Sequence, residues 1–156
     1  MLEIAIPGRG KLQFEYLVLD LNGTIALDGE IIEGVKEKLL VLDKSLSIVV
    51  VTADTYGSAQ KQFASLPVKL HIIDRGNEDA QKQALVQELG GRKTVSIGNG
   101  SNDVSMLKES ALGICVIGME GAAVKAMSSS DVIVPEINSA LDLLIRPDRL
   151  IATLRR

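Results

Sequence analysis

Four residues of this chain carry types and an order that suit the transfer of a phosphoryl group. Asp20 closes the apolar run Phe14-Glu15-Tyr16-Leu17-Val18-Leu19, and Thr52 closes a second one, Ser47-Ile48-Val49-Val50-Val51. Lys82 falls near the start of a helical pattern, and Asp103 lies in the loop Gly98-Asn99-Gly100-Ser101-Asn102-Asp103. A carboxylate can attack phosphorus to give an aspartyl phosphate. A second carboxylate can hold Mg²⁺, which favours hard oxygen ligands. A lysine and a hydroxyl can neutralise and hydrogen-bond the phosphoryl oxygens. Gly23, Gly98 and Gly100 allow close backbone approach and can aim N–H groups at an anion. Each residue alone also has an ordinary reading: Asp20 as a turn cap, Lys82 on a solvated helix face, Thr52 as a strand-end hydroxyl, Asp103 as a helix cap. The ordered set is what points to one site.

The elements that must position these residues alternate. Leu2–Ile6 and Leu12–Phe14, around Pro7-Gly8-Arg9-Gly10, predict a β-hairpin leading into the strand that ends at Asp20. Thr24 to Ile31, centred on Asp28-Gly29, predicts a second, small hairpin. Helices are predicted over Val35–Leu42, Tyr56–Ala64, Asp79–Leu89, Val104–Ser110 and Ala122–Met127. Strands are predicted over Ser47–Val51, Val68–Ile73, Thr94–Ile97, Leu112–Ile117 and Val132–Val134, and Ser139–Leu154 reads as a helical tail interrupted at Pro147. This is the pattern of βαβ units in an α/β, Rossmann-like, doubly wound parallel sheet flanked by helices. Ligands of such sheets bind outside the carboxyl ends of the strands. One domain over 1–156 is expected, with an N-terminal hairpin extension (about 1–14) and the tail from about 137.

Composition fits that reading. The chain has 156 residues, 46% of them hydrophobic and only 3% aromatic, so an aliphatic core is expected. The net charge of −3 gives no reason to expect nucleic acid or an anionic membrane as partner. Cys115, the single cysteine, sits in Leu112-Gly113-Ile114-Cys115-Val116-Ile117 and reads as a buried, inert thiol. His71, the single histidine, reads as a partly buried strand residue, so a histidine-based metal site is excluded. With no intrachain disulfide, no signal-peptide pattern and no membrane-length apolar run, a cytoplasmic location is expected.

The ordered motifs resemble the haloacid dehalogenase superfamily, and within it the phosphorylation domain of P-type ATPases. Where those pumps carry D-K-T-G-T, T-G-D, a lysine and G-D-G-x-N-D, this chain has Asp20-Leu21-Asn22-Gly23-Thr24, Thr52-Ala53-Asp54, Lys82 and Gly98 to Asp103. The resemblance spans roughly residues 14 to 135 and is similar to the small soluble P-type-ATPase-like proteins. It implies that Asp20 is the nucleophile and a Mg²⁺ ligand, and that Asn22 gives its backbone carbonyl to the metal. Gly23, Thr52, Ala53 and Lys82 then hold the phosphoryl group, Asp103 and Asn99 stand at the metal, and Asn102 orients the loop or Lys82.

The departures from the family pattern shape the expected activity. Only 27 residues separate Thr24 from Thr52, too few for the pumps' nucleotide-binding domain, and the interval to Lys82 is too short for a large cap. A capless fold is therefore expected, acting on a small phosphorylated substrate or a phosphoprotein, with oligomerisation as one way to shield the site. Asn22 stands where phosphatases of the superfamily have the aspartate that protonates the leaving group, and Asn99 replaces a second acid. Weak Mg²⁺ binding and slow turnover are expected, with Asp28 a conceivable substitute acid. A non-enzymatic phosphate-binding regulator is the alternative. Dehalogenation, a third reading, fits the missing acid but not Asp103 or the short intervals.

Overall fold

The computed structural model describes residues 1–54 and 57–156. Six parallel strands form the central sheet: β3 (Tyr16–Asp20), β6 (Ser47–Thr52), β7 (Val68–Ile72), β8 (Thr94–Gly98), β9 (Leu112–Val116) and β10 (Val132–Val134). Their spatial order is β10-β9-β8-β3-β6-β7. The chain thus builds outward from β3 through β6 to β7, then returns to the other side of β3 for β8, β9 and β10. The strand order reverses between β3 and β8, and the carboxyl ends of those two strands carry Asp20 and the loop 98–103. That reversal is where a doubly wound sheet opens a crevice.

The register explains why these runs are apolar on both faces. Leu17, Val18 and Leu19 pair with Ile48, Val49 and Val50 of β6 and with Val95, Ser96 and Ile97 of β8. Leu17, Leu19, Val50 and Ile97 face one layer, in a cluster with Leu39 and Leu141. Val18, Val49 and Val51 face the other, against Leu85, Val86 and Met106. One layer holds α1 (Val35–Leu42) and α6 (Ile137–Ile145); the other holds α3 (Glu78–Leu89) and α4 (Val104–Glu109). A parallel sheet covered on both faces needs near-continuous apolar strands.

The hairpin β1 (Leu2–Ile6) and β2 (Gly10–Phe14) pairs antiparallel as expected, and its buried Ile4, Ile6 and Phe14 join the main core. The small hairpin β4 (Ala26–Leu27) and β5 (Glu30–Ile31) turns at Asp28 and Gly29, both at positive φ (51° and 81°), as the Asp-Gly pair requires. The tail is two helices, α6 and α7 (Pro147–Leu154), because Pro147 opens the second instead of breaking the first. The buried side of α6 (Ile137, Ala140, Leu141, Leu143, Leu144) covers the sheet's own face.

Boundaries shift where tertiary contacts intervene. Helix α5 runs over Val124–Ser128, later than expected, since the Ala123 N–H goes to the Asn99 carbonyl (2.9 Å) and keeps that segment extended. Helix α2 covers Ser58–Phe63; its expected start at Tyr56 lies outside the described residues. Cys115 is fully buried and burial lifts its thiol to about 11, as an inert thiol requires. Among the described residues, no helix is long and apolar enough to cross a membrane.

Candidate active site

Asp20, Lys82 and Asp103 meet. The Lys82 ammonium, 1% exposed, donates to Asp20 Oδ1 and to Asp103 Oδ1, each at 2.7 Å. Three elements cooperate in this: β3 ends at Asp20, the loop after β8 carries Asp103, and α3 lays Lys82 across the crevice between them. A lysine so deeply buried requires partners. Burial alone depresses its ammonium, but the two carboxylates outweigh burial and hold it above its ordinary value. Asp20 also shifts upward, but in its case the shift favours the neutral form. Burial, then the Asp103 charge, raises its carboxyl from 3.8 to about 7, against the opposing pull of Lys82 and the Thr24 hydroxyl.

The rest of the nucleophile loop is braced. Thr24, fully buried, has its Oγ1 3.0 Å from Asp20 Oδ2 and 3.3 Å from Asn99 Oδ1. Asp103 Oδ2 accepts the N–H groups of Asn99 (2.9 Å) and Gly100 (2.8 Å), which closes the loop after β8 upon itself. Gly98 must be glycine there: a Cβ would come within 2.6 Å of the Asp103 carboxyl carbon. Gly23 has φ +78°, and a Cβ on it would overlap the Glu120 carboxylate.

A cavity of about 380 Å³ opens onto this arrangement and is bordered by Asp20, Asn22, Thr52, Ala53 and Lys82. The Thr52 hydroxyl accepts the Asp54 N–H (3.1 Å), which leaves its own proton to donate into the cavity. Asp103 lies behind Lys82 with no exposure, Asn99 is held by Thr24 and by the Gly121 carbonyl, and Gly23 borders a second, apolar cavity of about 250 Å³. Of the two roles expected for Asn102, orienting the loop or Lys82, the structure shows a contact of the first kind: its amide donates to Glu78 Oε2 (2.7 Å) at the start of α3 and ties the loop to that helix. Asp28 sits in the exposed hairpin turn and does not border the main cavity.

Sequence reasoning missed Arg75, Glu78 and Gln81. Arg75 and Glu78 border the main cavity, and Gln81 ties down the turn that carries Arg75. Their signal, a polar stretch leading into a helix, is that of any surface turn.

Hard oxygen donors suited to Mg²⁺ converge on the side of Asp20 away from Lys82: Asp20 Oδ2 and Asn99 Oδ1 both face the Thr24 hydroxyl. Among the described residues, no three His, Cys, Asp or Glu side chains group as a metal cage. These oxygens do not make a closed structural metal site; a divalent ion held by them would draw its further ligands from water and phosphate.

No family model matches the chain. It is 49% identical over 90 residues to an uncharacterized protein of Methanocaldococcus jannaschii, across 53% of this chain and 97% of that protein. A 93-residue stretch, 57% of this chain, is 29% identical to the phospholipid-transporting ATPase tat-1 of Caenorhabditis elegans, of which it spans 8%. Among solved structures, the fold is similar to a putative 3-deoxy-D-manno-octulosonate 8-phosphate phosphatase from Vibrio cholerae, with a TM-score of 0.70, 16% identity and 96% and 97% of the two chains covered. The corresponding Moraxella catarrhalis phosphatase, solved with magnesium, phosphate and KDO, gives a TM-score of 0.68 at 18% identity, with 91% and 94% covered.

Proposed function

This chain shares a family with the uncharacterized Methanocaldococcus jannaschii protein and carries the haloacid dehalogenase fold, and we propose that it is a phosphohydrolase or phosphotransferase working through an aspartyl phosphate on Asp20. The observation that carries this reading is the buried Asp20–Lys82–Asp103 arrangement at the sheet's reversal point, facing a cavity large enough for a phosphate monoester. A structural ion pair needs no cavity. A carboxylate raised to about 7 beside one supports a chemical role for the site.

In the first step an Asp20 oxygen bonds to phosphorus as the ester oxygen leaves with its electron pair. Lys82 and the Thr52 hydroxyl offset charge that gathers on the phosphoryl oxygens. Asn22 borders the cavity where an acid would serve, and its amide supplies no proton, so the leaving oxygen takes its proton from solvent. Water then attacks the aspartyl phosphate and releases phosphate and free Asp20, again without a side-chain base from Asn22. Asp20, the Asn22 carbonyl and Asn99, with Asp103 behind, would hold Mg²⁺, which supplies charge neutralisation when bound.

The substrate side is open. Between Thr24 and β6, which ends at Thr52, lie only β4, β5 and α1, and between Thr52 and α3, which carries Lys82, the described elements are α2 and β7. Val35 and Leu39 of α1 and Ala59 and Phe63 of α2 are buried in the main core, which supports a capless enzyme acting on a small phosphorylated compound or a phosphoprotein. The second reading, a phosphate-binding regulator, draws its support from Asn22. A phosphatase panel run with and without Mg²⁺ on wild type and Asp20→Asn separates the two. Metal-dependent turnover lost in the variant supports the enzyme, and phosphate binding with equal, background turnover in both proteins supports the regulator.

A further inference from the structure

Lys82 shares its charge with two carboxylates before any phosphate arrives, and a bound Mg²⁺ would offset only part of the negative charge gathered there. The single positive charge of Lys82 already lies 2.7 Å from each of two carboxylates, so the buried triad carries a net negative charge when Asp20 is ionised. Asp54 and Glu78 add two further acids to the cavity border. Among the described residues bordering it, the cations are Lys82, at the floor, and Arg75, which is exposed at the mouth.

The turn that carries Arg75 is built with care. The Gln81 carboxamide accepts the Asp74 N–H at 3.0 Å and donates to the Asp74 carbonyl at 2.9 Å and the Gly76 carbonyl at 3.0 Å. One side chain thereby fastens the backbone on both sides of Arg75. Gly76 and Asn77 take positive φ (83° and 55°), which folds the turn back onto α3. Gln81 directly precedes Lys82, so one turn of helix fixes both the floor cation and the loop that presents the mouth cation.

We propose that Arg75 grips the outer oxygens of a phosphate monoester whose inner oxygens face Asp20, Thr52 and Lys82, and that Gln81 is the positioning residue that keeps it there. A guanidinium suits this task because its planar fork matches two phosphate oxygens at once. The proposal deepens the phosphohydrolase reading of the cavity and rests on it for the ligand class, but it concerns binding and is tested without turnover.

The test is calorimetric titration with inorganic phosphate, with magnesium present, of wild type, Arg75→Ala, Arg75→Lys and Gln81→Leu. Arg75→Ala is expected to weaken phosphate binding about tenfold or more. Arg75→Lys recovers part of that loss, because charge returns without the fork. Gln81→Leu weakens binding less than Arg75→Ala, and Gln81→Leu combined with Arg75→Ala is no weaker than Arg75→Ala alone. Equal phosphate affinity in wild type and Arg75→Ala would overturn the proposal, as would a wild type that does not bind phosphate. If phosphate binding depends on Arg75 while no substrate turns over, the assignment of Arg75 stands and the enzymatic reading falls.

Discussion

Replacing Asp20 by asparagine is expected to stabilise the folded protein, and to do so mainly at alkaline pH. The wild-type carboxyl, ordinarily near 3.8, titrates in the fold at about 7 because burial and Asp103 together outweigh Lys82 and Thr24. Between those values the folded protein holds a proton that the unfolded chain has released. Stability from the protonated form is therefore complete below about pH 4 and is lost as pH rises through about 7. At roughly 1.4 kcal/mol per pH unit, the loss reaches about 4 kcal/mol by pH 8. Asparagine has the shape of the protonated acid and no charge to lose, so at pH 8 Asp20→Asn is expected to exceed wild type by up to about 4 kcal/mol. At about 2–4 °C per kcal/mol for a chain of this size, the melting temperature rises by roughly 8–16 °C. At pH 4 the two proteins should unfold together. Urea and thermal unfolding at both pH values, in EDTA to remove bound cations, give the comparison. A variant no more stable than wild type at pH 8, or a gain of equal size at both pH values, would refute the reasoning.

Lys82→Met leaves Asp20 and Asp103 facing each other without their shared cation, and about 3–5 kcal/mol of stability should be lost at pH 8 in urea titrations; the loss should shrink at pH 5, where Asp20 takes up a proton. Turnover should rise with pH through about 7 as Asp20 becomes the free carboxylate, and steady-state rates at stepped magnesium concentrations should show that limb moving to lower pH as the cation stabilises the charged form. Asn22→Asp restores an acid beside the cavity and should raise turnover of unactivated phosphate esters by about a hundredfold or more, with a much smaller gain for p-nitrophenyl phosphate, whose leaving group needs no proton.

The sheet was legible because a doubly covered parallel strand must be apolar along its whole length, as Leu17 to Leu19 and Ile48 to Val51 are. The buried triad was legible for another reason: Asp20, Thr52, Lys82 and the loop ending at Asp103 follow one another in the order of a known family. Periodicity alone would not have buried Lys82, which lies in a helix rich in charged and amide side chains. What escaped was set by contacts between distant segments. Thr24 bridging Asp20 to Asn99 spans 75 residues, and the Asn102 amide bonds Glu78 across 24. Gln81 fastening the Arg75 turn is local, but a glutamine in a helix gives no hint that its amide points back at the loop before it. The late start of α5 has the same origin, since the carbonyl of Asn99, just beyond the end of β8, accepts the Ala123 N–H from 24 residues away.

The claim at the centre of this account is that Asp20 becomes covalently phosphorylated. Incubation with acetyl phosphate and magnesium, an acid quench, and intact-mass and peptide mass spectrometry test it directly. The expected result is a single added phosphoryl group, stable to acid and labile to hydroxylamine, that maps to the peptide containing Asp20 and is absent from Asp20→Asn. The slow second step expected of Asn22 should let it accumulate. No adduct in the wild type, or an equal adduct in the variant, would contradict the account.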